Sequence, residues 1–339
     1  MARPPAPRRR ARPAPETLPV LSLEEAREAA GAYARGSRAA STWRAYEADW
    51  RTFEAWCRAV QLPPLPAAPH TVALYLAAEA KRGRAPSTLG RRLAAIRLMH
   101  LGARLPSPHD ALEVAEVLRG IRREFGRLPT KKKPAVDEDI QRMVDAIDTH
   151  DPQTLRGLRD RALLLLGYAA ALRRSELVAL DVEDLTERPE GLEVRIARSK
   201  TDQEGHGATL AVPRVPDSPY CPVRAVLDWQ VVADLTTGAL LRRLHRGDRL
   251  GERLTAQSVA LIIKQRAAQA GLEGAAAYSG HSLRRGFLTS AARNRASIFK
   301  MAAQSRHKSL DVLREYVDDV ERFEDHAGTG LLERRETEK

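Results

Sequence analysis

Apolar positions recur every three or four residues along most of this chain, and that period predicts helices. The first is SLEEAREAAGAYARG, with Ser22 as its cap and Glu25 three positions later completing a capping box. Ser41 to Val60 predicts a second, on which Trp43, Tyr46, Trp50, Phe53 and Cys57 fall at helical spacing. The stretch LPPLPAAP breaks the pattern. Helices over His70 to Arg82, Ser87 to Leu101 and His109 to Phe125 follow, with Pro86 marking a helix start. Residues 17–126 therefore read as a small all-α domain of five helices. Ahead of it, residues 1–16 form a Pro/Arg-rich tail that cannot build a core. After it, residues 127–135 carry two prolines and three successive lysines without any period, and read as a linker.

Beyond Val136 the pattern changes. Asp137 to Ile147 predicts a helix, and Leu155 to Leu172 a single buried one. LEVRIAR (192–198) and ATLAVPR (208–214) alternate as two strands do, separated by the turn-rich SKTDQEGHG. Helical periods resume at Pro222–Leu235, Thr255–Ala270, Ser282–Asn294 and Ser309–Arg322. Residues 136–324 thus read as a mostly α domain with a small antiparallel β element, and 325–339 as a terminal segment. No internal repeat and no GxxxxGK[ST] phosphate loop occurs, so ATP use is not suggested.

Composition narrows the function class. The chain has 339 residues, 43% of them hydrophobic, enough for more than one packed core. Its formal net charge is +12 at pH 7 and its pI about 10.1, so it prefers polyanions, either nucleic acid or an anionic membrane surface. No 18-residue apolar run predicts a spanning helix, and the Pro/Arg-rich start lacks the apolar core of a signal peptide. The expectation is a soluble, cytoplasmic protein whose partner is nucleic acid. Its two cysteines, Cys57 and Cys221, stand far apart, which argues against disulfides and structural zinc.

Four stretches of the second domain carry candidate chemistry: ALRRSEL (171–177), SKTD (199–202), SGHSLRRGF (279–287) and QSRHKSLDVLREYV (304–317). Phosphodiester cleavage piles negative charge on the non-bridging oxygens. Guanidinium groups answer that charge with paired donors and stay protonated, and Arg173 and Arg284 can form such a clamp. No Asp/Glu cluster of the kind that holds two Mg²⁺ is evident. Tyr316 offers a hydroxyl able to form a covalent phosphoester. Tyrosine is a poor nucleophile at neutral pH until a base takes its proton, and His281 can act so. Lys200, on the turn between the strands, can protonate the leaving oxygen, and His307 can hydrogen-bond the phosphate. Each residue alone reads more readily as a surface cation or a packed ring; the ordered set is what carries weight.

That order (Arg, Lys, His-x-x-Arg, His, Tyr) resembles the tyrosine recombinase, or phage integrase, family. ALRRSELVAL resembles its first-arginine box, SKTD its lysine hairpin, GHSLRR its His-x-x-Arg box and RHKSLDVLREYV its last box. The resemblance assigns Arg173, Lys200, His281, Arg284, His307 and Tyr316 as catalytic, with Tyr316 the nucleophile. It places Glu176, three residues after Arg173, as an orienting group. STWRAYEADWRTFEAWC and the run PSTLGRRLAAIRLMHLGARLPSP also resemble the helices of a phage member, from about Leu18 to Leu332. The resemblance implies a SAM-like helical core-binding domain joined to an α-rich catalytic domain with a small sheet. It further implies a clamp around double-stranded DNA carrying inverted-repeat sites, a homotetramer on paired sites, and 3′-phosphotyrosine and Holliday-junction intermediates. No metal, ATP or other cofactor is implied, and the setting is bacterial or phage DNA at the nucleoid. HAGTGLLERR resembles a terminal helix donated to a neighbouring protomer, with Leu331 and Leu332 buried in trans.

Candidate DNA contacts follow from position. Thr42 and Arg44 start one helix, and Ser87, Arg91 and Arg92 another, where helix N-termini and cations suit phosphates. On the helix over Thr255–Ala270, Gln257 and Lys264 fall opposite the apolar face, with adenine, guanine or phosphate as their partners. Three other readings stay open: a type IB topoisomerase, against which the helical first domain argues; a catalytically silent DNA-binding protein, against which the six filled positions argue; and an RNA-binding protein, for which no RNP or KH motif speaks.

Overall fold

The computed structural model describes residues 22–126, 132–197, 207–322, 327–329 and 331. The chain divides into two compact units, residues 1–129 and 130–339.

The first unit holds five α-helices: α1 (Leu23–Gly36), α2 (Ala40–Ala59), α3 (Pro69–Lys81), α4 (Pro86–Gly102) and α5 (Leu112–Phe125). The capping box at Ser22 and Glu25 is present. Phe53, Cys57, Tyr75, Leu76, Leu89, Ile96 and Val114 of α2 to α5 make the core, while no described side chain of α1 is buried. The last helix starts later than its period suggested. Pro108–Asp110 forms a separate 3₁₀ turn capped by Ser107, and Ala111 is extended, so α5 begins at Leu112. His100 is fully buried; its Nδ1–H donates to the Ile96 carbonyl and its Nε2 accepts from the Ala67 amide.

The second unit runs α6 (Asp137–His150), α7 (Leu155–Ala169), α8 (Arg174–Ala179), β1 (Leu185–Arg188), β2 (Gly191–Ile196), β3 (Ala208–Pro213), α9 (Pro222–Val232), β4 (Arg242–Leu244), β5 (Leu250–Arg253), α10 (Ala256–Gln269), α11 (Gly280–Arg293), α12 (Ile298–Ser305) and α13 (Asp311–Glu321). β1, β2 and β3 form an antiparallel sheet in which Val194 faces Leu185 on one side and Leu210 on the other. α8, β1, the β4–β5 hairpin and α12 are additions to the elements predicted. The strands are only three or four residues long, too short for an alternation to register.

The helix predicted over Leu155–Leu172 ends three residues early, and a short helix that was not predicted follows it. α7 ends at Ala169, and Ala171 takes a left-handed turn (φ 47°) before α8 begins. Nothing in three successive alanines marks that reversal, and its effect is large: Arg173 caps α8 instead of ending the buried helix. Arg266 of α10, 1% exposed, ties α10 to α7 through Asp160 (Nε–Oδ2 2.8 Å) and also reaches Asp151.

Residues 132–137 lie along α11. The Ala135 amide donates to the Ser282 carbonyl (3.0 Å), the Asp137 amide to Ser290 Oγ (3.2 Å), and Arg285 donates to the Lys132 carbonyl. Gly286 permits the approach, since a Cβ there would stand 1.6 Å from the Ala135 carbonyl oxygen.

Candidate active site

Each catalytic candidate is placed by a local device. Arg173 is held at the start of α8 because Glu176 reaches back to it: Glu176 Oε2 accepts the Arg173 amide (2.9 Å) and Oε1 accepts Arg173 Nη1 (2.7 Å). Glu176 is 3% exposed, so the pair is no ordinary surface ion pair. The left-handed turn at Ala171 aims its carbonyl at Arg284 of α11, which donates to it from Nη1 (2.9 Å). Arg284 is 1% exposed, and its Nη2 stands 3.3 Å from His307 Nε2.

The tautomer of His307 follows from its neighbour. Ser305 spends its proton on the Met301 carbonyl (2.6 Å), so its oxygen accepts from His307 Nδ1–H (2.8 Å). Nε2 then carries the lone pair facing Arg284. Tyr316, on α13, is half-buried in a small apolar cluster with Leu288, Met301 and Leu313. The Arg285 guanidinium lies over its ring at 5.9 Å. Beside it opens a cavity of about 360 Å³ lined by Pro134, Arg285, Thr289, Arg293 and Tyr316 among others.

The electrostatics single out the cluster of Arg173, His281, Arg284 and His307, none of which lines that cavity. Burial, then the cations Arg173 and Arg306, lowers the Arg284 guanidinium to about 9, with Glu176 opposing. Burial, then Arg284 and Arg173, lowers His307 to about 4. Desolvation, then Arg284, Arg285, Arg173 and Arg174, holds His281 below its usual range. Both histidines are therefore neutral at pH 7. A neutral His281 can take a proton, and cations crowded to this degree favour an arriving anion.

The structure thus brings Arg173, Glu176, His281, Arg284, His307 and Tyr316 into one electrostatic neighbourhood. Lys200 lies outside the described residues, as do the 1–16 tail and Leu332. Among the described residues no group of three or more His, Cys, Asp and Glu stands together as a metal site would, and no helix is long and apolar enough to cross a membrane. Arg306 was missed: Nη2 binds Glu176 Oε2 at 2.5 Å. Its only sequence signal was its place beside His307.

The candidate DNA contacts fare unevenly. Arg44, Ser87 and Gln257 are exposed, Thr42 and Lys264 half-exposed. Arg92, expected on a phosphate, is instead 7% exposed and donates inward to Tyr75 Oη (2.9 Å) and Glu79 Oε2 (2.5 Å). It lies on the face of α4 that carries Leu89, Leu93 and Ile96, so the core claims it. Arg91 is open to solvent but doubly bonded to Asp49 (2.7 and 3.1 Å).

The model of the phage integrase family matches residues 136–322, which include five of the six assigned catalytic positions in described segments and Lys200 besides. The chain belongs to that family. This recombinase is 38% identical over 295 residues to the integrase/recombinase xerD homolog of Selenomonas ruminantium, covering 86% of this chain and 85% of that protein. It is 28% identical to Recombinase cre of Escherichia phage P1 over 164 residues, 47% of each, a narrower likeness than the helix-by-helix resemblance to a phage member suggested. Among solved structures, a lambda integrase (75–356) dimer bound to a COC′ core site matches with TM-score 0.56 and 14% identity, over 86% of this chain and 97% of that one. XerH site-specific recombinase bound to palindromic difH substrate matches with TM-score 0.54 and 18% identity, over 77% and 72%. These two establish the fold: mostly helical, with a small antiparallel sheet. Family membership makes the chain a tyrosine recombinase, a DNA strand-exchange enzyme.

Proposed function

We propose that this recombinase binds double-stranded DNA at inverted-repeat sites and exchanges strands as a homotetramer, with Tyr316 as nucleophile. The Tyr316 oxygen attacks the scissile phosphorus, and its proton passes to neutral His281. The bond to the 5′-oxygen breaks, and Lys200 supplies that oxygen with a proton. A 3′-phosphotyrosine remains, which a 5′-hydroxyl from the partner duplex attacks in turn, giving a Holliday junction and then exchanged strands. The phosphoester conserves the energy of the cut strand, so no ATP enters. Arg173 and Arg284 hold the non-bridging oxygens, where fixed donors at developing charge contribute most. His307 donates to the phosphate once the anion's charge has drawn a proton onto Nε2.

The observation that carries this reading is Arg284: a guanidinium 1% exposed, crowded by Arg173 and Arg306, with Glu176 and then Tyr316 opposing them. Such a pocket is costly when empty and suited to a phosphate gaining charge. The test incubates wild type and Tyr316→Phe with nicked duplexes tiled across the DNA flanking the gene, without metal or ATP, followed by a denaturing gel. The expected result is a protease-sensitive adduct on a 3′ phosphate in wild type alone. Sequence-specific binding without any adduct would sink the nucleophile assignment.

A further inference from the structure

Arg306 departs from a surface cation in three ways. Its backbone sits in the left-handed region (φ 55°, ψ 44°), where a bulky side chain is strained. Its side chain is 11% exposed and bonds Glu176 through Nη2. Its Nε and Nη1 are buried with no hydrogen-bond partner. The residue after it is His307.

Glu176 is the point of exchange. One oxygen accepts Arg173 Nη1, the other accepts Arg306 Nη2 and the Arg173 amide. A carboxylate held by Arg173 alone would neutralise that guanidinium and draw it off the substrate. With Arg306 on the second oxygen, the anion is shared, and Arg173 keeps positive charge to present. The formal count for Arg173, Arg284 and Arg306 against Glu176 is three positive minus one negative, or +2, and falls to +1 without Arg306. The left-handed turn also ends α12 so that His307 meets Arg284.

We propose that Arg306 is a positioning residue of the phosphate site: it holds Glu176 through the oxygen Arg173 Nη1 leaves free, so that Arg173 and Arg284 share a doubly positive pocket, and its turn sets His307 against Arg284. The assignment rests on the reading of the Tyr316 pocket given above. It goes beyond that reading by adding a residue that touches no reacting atom.

The groups facing His307 are Arg284 and His281 on α11, Arg173 at the start of α8, the adjacent Arg306 and Ser305 on Nδ1, with Glu176 behind Arg173 and Arg306. Removing the Arg306 charge therefore moves the His307 titration upward. The experiment uses the full chain and three forms: wild type, Arg306→Gly and Arg306→Lys. Glycine adopts the left-handed turn freely, so the first variant deletes the side chain and keeps the backbone. Lysine keeps the charge but loses the planar fork. The His307 ring is followed by NMR against pH, with and without inorganic phosphate, and melting of each form checks the fold.

The expected result for Arg306→Gly is an upward His307 midpoint, inorganic phosphate bound at least about tenfold more weakly, and slower adduct formation. Arg306→Lys should keep the midpoint near wild type while adduct formation still falls. If both variants match wild type in midpoint, phosphate affinity and adduct rate, Arg306 only packs and the inference is overturned. Should the glycine form fail to fold, the lysine form decides alone. Wild type that binds phosphate and titrates as expected yet never forms an adduct overturns the nucleophile assignment and leaves this one standing.

Discussion

Two clusters of arginine and carboxylate, one in each unit, are built from the same residue types and behave in opposite ways. In the first unit Arg92, the one deeply buried cation, meets two buried carboxylates, Glu79 and Asp49, while Arg82, Arg84 and Arg91 close the rim from solvent. Burial pushes Glu79 upward, yet hydrogen bonds from Arg92 and Arg82 outweigh it and hold the carboxylate below its usual range. The bond to Asp49 raises Arg91. In the second unit two guanidiniums, Arg173 and Arg306, bond one carboxylate, Glu176, and a third, the buried Arg284, stands in the same field. Burial first, joined by repulsion from neighbouring guanidiniums and opposed by Glu176, lowers both Arg284 and Arg306. A cluster that pairs its buried cation with two buried carboxylates is a fastener. A cluster that destabilises its own cations awaits an anion.

The comparison can be broken from either side. The largest expected effect is at the fastener. Glu79→Ala strands the buried Arg92 charge, and removing one partner of such a pair costs about 3–5 kcal/mol. Urea unfolding should show that loss in the first unit; a change under about 1 kcal/mol would mean the cluster bears little of the fold. Next comes Arg284→Gln. Losing one fixed donor to the transition state should slow adduct formation by about 10²–10³-fold, while melting holds or rises because an uncompensated cation is gone. A variant both slow and badly destabilised would show Arg284 to be a fastener after all.

The smallest effect sharpens the comparison through pH. His307 sits at about 4 in the fold against 6.5 ordinarily, and His281 is lowered as well. Between those limits the unfolded chain binds more protons, so stability drops as pH falls from 6.5 toward 4. His307→Gln should flatten that slope, and inorganic phosphate should flatten it in wild type. A slope unchanged by the substitution would place the acid sensitivity elsewhere.

The family was legible in the four boxes because phosphoryl-transfer chemistry tolerates few residue types and the order of the boxes is hard to meet by chance. Helix positions were legible where apolar faces were long, as in α2 and α10. What stayed hidden is what periodicity cannot carry. Arg92 sat in phase with Leu89, Leu93 and Ile96, yet arginine's usual place at the surface outweighed the phase. Ala171 gave no hint of its left-handed turn, so α7 was read through to Leu172 and the short α8 was missed. Arg306 looked like one more cation in a chain of net charge +12; only the fold shows it sharing Glu176 with Arg173.

The seam along α11 limits how such enzymes can be recombined as proteins. Residues 132–137 are bonded to the same helix that carries His281 and Arg284, and Gly286 leaves no room to move them. A chimera that exchanges the first unit therefore has its natural junction upstream of Lys132. Spliced at Val136, it would import a foreign strand into the back of the catalytic helix, and a retargeted enzyme would lose rate for reasons unrelated to its new site.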